Sequence, residues 1–532
     1  MKNIKILSRK INKLILLPFL VLTLLTVSCE DIIELDPYNQ VSETTAFSTP
    51  ALVELSVVGM YNAGQRGFFN GSDFRGYPFG AAFVQQGDNR GEDAINLQAF
   101  YRFTYEGTYD ATTANNVFYW QDTYRLINRC NIVIDGVNTA ATNGVISAEK
   151  AAEYEGEAKL LRAAAYHELL VLFARPYKHT DNGSHPGVPY YDKPFTTQAA
   201  VEEGFTKGRE TVGFVYGKIL EDLTFAEANL PLKAARTGKA KITRGTKGAA
   251  LAYKVRIYQH MWDMNKVIEE GLKLVNLNEY ALGAEPWTAF AANYTNNEYI
   301  YGMENAATNN PGVNAALASQ YKRRQLVAIS PIIWRNSYWL EDDKRRTEGQ
   351  MVFTRKDAAG VVTGLFTEKY KDDVNYTDAS PMMRYAEVLL NIAEAYARNN
   401  NVAEGLKYLN MVRDRALADK DAQTYTAASF ADNVELLKAI LAERRIELVM
   451  EGRRWADISR LQQDPVVPMS GIPGKVAVAD PVAAGAYTLG TEYSGPYGVL
   501  PIPYDNFKFV WPIPQVELNA NPTLREQQNP GY

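Results

Sequence analysis

Proton transfer or metal binding in this sequence would have to come from four histidines (His167, His179, His185, His260) and 61 Asp and Glu. The histidine spacing excludes the common zinc arrangement, because His167–Glu168 lacks the second histidine of H-E-x-x-H. His179 and His185 flank a Gly/Asn/Asp loop with no ligand spacing of their own, so no metal or cofactor is expected. There is no G-x-S-x-G, phosphate-binding loop or dinucleotide fingerprint. The densest charged run is Glu443, Arg444, Arg445, Glu447, Glu451, Arg453, Arg454 and Asp457. Glu447 with Glu451, and Arg453 with Asp457, lie at i,i+4. The mixed signs read as ion pairs that fix this helix to its neighbours, with Ile446, Leu448, Val449 and Trp455 facing the core. No spacing marks a catalytic carboxylate pair, and the chain reads as no enzyme.

What remains is aromatic rings beside hydrogen-bonding groups. A pyranose offers an apolar C–H face to a flat ring and a rim of hydroxyls to amides and guanidinium groups. Two stretches have that mixture. In 74–105 the candidates are Arg75, Tyr77, Asn89, Phe100, Tyr101 and Tyr105. In 299–339 they are Asn309, Tyr321, Trp334 and Tyr338, with Asn305, Asn310, Asn314 and Trp339 nearby. The run WRNSYW makes Trp334 and Tyr338 the preferred rings, although a spacing of four also suits one helix face. With 33 tyrosines in the chain, the competing reading of every ring is burial under the loops.

The elements that must position these residues are mainly helices. Apolar residues recur at three- and four-residue steps over 117–134, 149–173, 210–230, 243–263, 383–398, 403–417 and 433–461. Thr243 is the expected N-cap of the fourth, and Gly452 the break in the last. The pairs have small residues at close-contact positions, and 383–417 spans about the 34 residues of a tetratricopeptide unit. Such pairs must stack to bury their stripes. The expected fold is therefore mostly α, with tetratricopeptide-like helix pairs and a large irregular, loop-rich part from inserts at 64–110 and 264–380. Cys130 falls on an apolar helix face and reads as a small buried group.

The first segment has five bases and no acid, then an uncharged run of 14 residues, Leu14–Val27, then Ser28 and Cys29. A spanning helix needs about 20 residues, so this is an export signal. It resembles a bacterial lipoprotein signal, with Leu25 four residues before the cysteine instead of the usual three. The acids after it, Glu30 and Asp31, resemble the surface-export type of Bacteroidetes. The implied organisation is a signal peptide at 1–28, acylation of Cys29, a tether at 29–45, and one domain at 46–532. Loss of residues 1–28 leaves 51 Lys and Arg against 61 Asp and Glu, a net charge of −10. That balance argues against a nucleic-acid partner.

Three stretches carry a wider resemblance: MRYAEVLLNIAEAYA at 383–397, AERRIELVMEGRRWADISR at 442–460, and WPIPQVELNANPTLREQQNPGY at 511–532. They resemble the SusD/RagB family of nutrient-capturing surface lipoproteins, as does GEAKLLRAAAYHELLVLFARPY at 156–177. The resemblance implies a tetratricopeptide-like half carrying an irregular half, no catalysis, and a ligand site in the loops. It also implies a SusC-type TonB-dependent outer-membrane transporter as partner. The cargo it implies is an oligosaccharide or, in some members, a peptide. A helical adaptor that binds no small ligand is a further alternative.

Overall fold

A computed structural model describes residues 43–67, 75–97, 99–291 and 296–532. The signal, Cys29 and nearly all of the tether lie outside them. Many of the helices start where a short polar side chain accepts from an otherwise orphaned backbone amide. Helix α1 (Pro50–Arg66) is capped by Thr49 with Pro50 in the first turn. Helix α2 (Ala82–Arg90) follows, and then α3 (Ala114–Thr142). Ser147, Thr211, Thr246 and Asp263 cap α4 (Ala148–Phe173), α5 (Val212–Asn229), α6 (Lys247–His260) and α7 (Met264–Asn276). After the long insert come α8 (Tyr385–Arg398), α9 (Val402–Arg413), α10 (Asn433–Glu447) and α11 (Arg454–Arg460).

Consecutive helices pack into one row: α3 on α4, α4 on α5, α5 on α6, α6 on α7, α7 on α8, and α8 on α9 and α10. The row therefore runs unbroken across the chain between α7 and α8. Small residues permit the approach. A Cβ on Gly271 in α7 would stand 2.5 Å from Ile392 in α8.

The second insert differs from the sequence reading at its start, because its first turns form α7. Thr243 is not the cap of α6; it ends a separate short turn, Ala240–Thr243, and Thr246 does the capping. The break near Gly452 is present. The helix ends at Glu447, Met450 and Gly452 have φ of 62° and 74°, and a Cβ on Gly452 would lie 2.5 Å from Val84 Cα. Only glycine combines that conformation with that approach.

The charged run locks elements together, but not through the i,i+4 pairs expected. Arg384, at the end of strand Ser380–Arg384, donates to both oxygens of Glu451 at 2.7 Å and to Glu447 at 3.0 Å. Arg415 also reaches Glu447, at 2.8 Å, and Lys369 reaches Glu451 at 2.7 Å. Asp457 accepts from Arg444 and Arg460. Trp455 and Ile446 are in the core as expected. The C-terminal tail packs along the body: the Trp511 amide donates to Leu172 O, and Asn529 donates to Phe173 O. Cys130 is a buried free thiol, pushed up by burial.

Candidate functional site

Two pairings bring the predicted inserts together. Strand β1 (Ala94–Asn96), from the first insert, runs antiparallel to strand β3 (Val327–Ile329) from the second; β2 (Tyr299–Met303) lies between them in sequence. At the end of α1, Gln65 Nε2 donates to Asn305 Oδ1 at 2.7 Å. The end of α1 and the loop that follows β2 therefore meet.

Six of the ten candidate residues are corrected to core residues. Tyr77, Asn89, Tyr101, Tyr105 and Tyr321 are at most 1% exposed. Their polar atoms mostly serve the fold: Asn89 donates to Gln85 O, Tyr105 to Val476 O and Tyr321 to Asp88. Tyr77 accepts from Gln86, and Tyr101 packs edge-on to Phe100. Trp334 is 9% exposed; Arg346 lies 4.2 Å from its ring centre and Trp339 stands edge-on to it. A ring enclosed in this way has no face left for a sugar. Tyr338 is half-buried on a different surface, beside Arg335 and Ser337, which bond residues 491 and 492.

The remaining three converge. Arg75 lies 5.2 Å from the centre of the half-buried Phe100 ring and donates to Asn314 O at 3.4 Å. Asn309 donates to Asn62 Oδ1 at 3.1 Å. Asn310 donates to Asn375 O at 3.1 Å and so bridges the 304–314 loop to a second turn, 372–378. Arg324 donates to Val313 O and Asn314 Oδ1, both at 3.3 Å. Arg323 donates to Asp373 O at 3.2 Å and to the Tyr376 hydroxyl at 2.9 Å.

Tyr376 is the residue that sequence reading missed. Its φ is 58°, a conformation that costs an L-residue roughly 1–2 kcal/mol and is an outlier for a bulky side chain. The turn enforces it. Asp372 accepts from the amides of Asn375 and Thr377, and Asp378 accepts from those of Lys371 and Asp372. Burial would raise the Asp372 carboxyl, but bonds from the Thr377 hydroxyl and three backbone amides outweigh it and hold the group below its usual range. A half-buried tyrosine is thus fixed beside the exposed Asn375, with its hydroxyl bonded by the exposed Arg323. The available signal was local: DDVNYTD sets one aromatic residue in a turn of Asp, Asn and Thr.

A cavity of about 1150 Å³ lies elsewhere, along α3 beneath the 189–205 segment. Trp120, Tyr124 and Tyr191 form part of its wall, but they pack on one another with centroids 4.9 and 5.6 Å apart. Asn62 lines this cavity and also bonds Asn309, so the cavity opens beside the loop cluster.

Comparison with known proteins agrees with this architecture. The SusD family model matches residues 334–532, and a second, described as "Starch-binding associating with outer membrane", matches 33–259. The chain belongs to the SusD/RagB family, whose members are binding proteins associated with the outer membrane. It is 25% identical to SusD-like protein P2 of Formosa agariphila, over 97% of this chain and 99% of that one. A SusD superfamily protein from Bacteroides fragilis superposes with a TM-score of 0.73 at 26% identity, covering 90% of this chain and 99% of that one. A SusD-like carbohydrate binding protein from Bacteroides vulgatus gives 0.71 at 21% identity, covering 90% and 98%.

Proposed function

We propose that this protein captures glycans at the outer membrane, held there by lipid on Cys29, and passes them to a SusC-type TonB-dependent transporter. The observation that carries the capture step is Tyr376, held on a strained backbone, its hydroxyl bonded by Arg323 and its neighbour Asn375 bridged to Asn310 of the 304–314 loop. A flat ring stacks on the apolar face of a sugar, and the surrounding donors take its hydroxyls. Backbone strain persists where the surrounding structure over-determines it, and such residues cluster at ligand sites. The helix row supplies the rigid frame from which loops can bind without ordering cost. Phe100 and Arg75 extend the surface toward the first insert. Binding needs no bond cleavage, in keeping with the family description.

The test is a screen of the full-length, detergent-solubilised protein against polysaccharides and peptides by affinity gel electrophoresis and calorimetry. One glycan class should bind, and Tyr376→Ala should weaken it about tenfold or more, since stacking a ring is worth roughly 1–3 kcal/mol. Binding to peptides alone would transfer the site to peptide capture. Glycan binding that Tyr376→Ala leaves intact would remove this surface as the site.

A further inference from the structure

Arg323 and Arg324 are consecutive, exposed and oriented by their own hydrogen bonds. Each uses only Nη1 for those bonds. Arg323 Nη1 reaches Asp373 O and the Tyr376 hydroxyl; Arg324 Nη1 reaches Val313 O and Asn314 Oδ1. All four acceptors are neutral. Among the described residues neither guanidinium has a carboxylate within ion-pair distance, the neighbouring Asp372 and Asp373 included, whereas the adjacent Lys322 pairs with Glu368 at 3.1 Å. Elsewhere in this protein arginines are usually met by acids, as Arg345, Arg384, Arg415, Arg444 and Arg460 are. The pair at the Tyr376 turn is instead met only by neutral acceptors, as Arg175 and Arg209 also are.

The Nε–Nη2 edge left over on each guanidinium is a two-donor fork, the geometry that fits a carboxylate or sulfate group. The two forks are held to different loops. Arg324 is fixed to 313–314 and Arg323 to 373–376, and the Asn310–Asn375 bond closes the gap between those loops. A glycan stacked on Tyr376 and crossing this gap would meet an oxyanion receptor on each side.

We propose that the cargo of this site is an anionic glycan, a polymer of uronate or sulfate-ester sugars, with Arg323 and Arg324 reading its charged groups. This rests on the glycan-capture reading given above. A net charge of −10 for the chain beyond residue 28 repels such polymers at long range, so recognition has to be local. Such local attraction is largely screened beyond about 8–10 Å at ordinary salt.

The probes are matched pairs: polygalacturonate against its fully methyl-esterified form, and a sulfated galactan against its desulfated form. They are measured on the full-length protein and on Arg323→Gln, Arg324→Gln, the double variant and Tyr376→Ala. Glutamine keeps one side-chain donor for the anchoring carbonyl while removing the charge. The expected result is preference for the anionic member of one pair, weakened by salt. Each single Gln variant should bind it about tenfold more weakly, and thermal stability should be unchanged. Which pair responds separates uronate from sulfate. Equal affinity for both members of each pair, or an unchanged double variant, overturns the anionic class. If Tyr376→Ala still abolishes binding in that case, the capture reading survives. Binding of neither anionic nor neutral glycan overturns both.

Discussion

Asp88 is buried in the core behind the loop cluster. One of its oxygens accepts from the Gly452 amide at 2.9 Å and the other from the Tyr321 hydroxyl at 2.6 Å. Desolvation outweighs both bonds, and the carboxyl is raised from 3.8 to about 7. The folded state therefore holds a proton that the unfolded chain has already released. Its contribution is fully present below about pH 4 and is lost as pH rises toward 7, at about 1.4 kcal/mol per pH unit at the steepest. Asp88→Asn keeps an acceptor for Gly452 and has no charge to bury. The variant should gain stability over the wild type between pH 5 and 8 in thermal melts, with the two converging near pH 4. Parallel curves would mean that Asp88 is ionised in the fold. The same neighbourhood shows what was legible at this scale. Residue types brought Arg75, Phe100 and Asn309 onto one candidate surface. Types could not separate Tyr321, whose hydroxyl an aspartate claims, from Tyr376, which a turn leaves half-buried at the surface. That difference depends on partners more than 200 residues away in sequence for Tyr321, and one sequence does not display them.

The elements that were legible are those with local causes. The helix pairs follow from a 3.6-residue period and from side-chain caps, both written in short windows. The misplaced cap of α6 shows the limit: TRGT offers two threonines, and tertiary packing selects Thr246. Strands β1 and β3 were not legible, because three residues each, AIN and VAI, carry no alternation and their partners lie far apart in sequence. The ion network belongs to this scale because Arg384 ties a strand to the turn after α10. Removing it strands Glu447 and Glu451 in a buried site where both are held ionised, burial opposing and the surrounding cations prevailing. Arg384→Leu should cost about 3–5 kcal/mol in urea denaturation. A loss below about 1 kcal/mol would show that Arg345, Arg415 and Lys369 satisfy those carboxylates without it.

Among the described residues no helix is long and apolar enough to cross a membrane. The net charge of −10 past residue 28 gives no electrostatic hold on an anionic lipid surface. Association with the outer membrane, which the family description carries, would then rest on the acyl chains at Cys29, each adding about 0.8 kcal/mol per buried CH₂. Two consequences differ from those of a peripheral protein. If the acyl chains are what holds it, high salt should not wash the wild type from membranes. Cys29→Ala should move the protein to the soluble fraction of fractionated cells with an unchanged melting temperature, since Cys29 precedes every helix of the row. Retention of the folded variant in salt-washed membranes would point to the transporter itself as the anchor, and co-purification of that partner with the variant would then identify the contact that holds it.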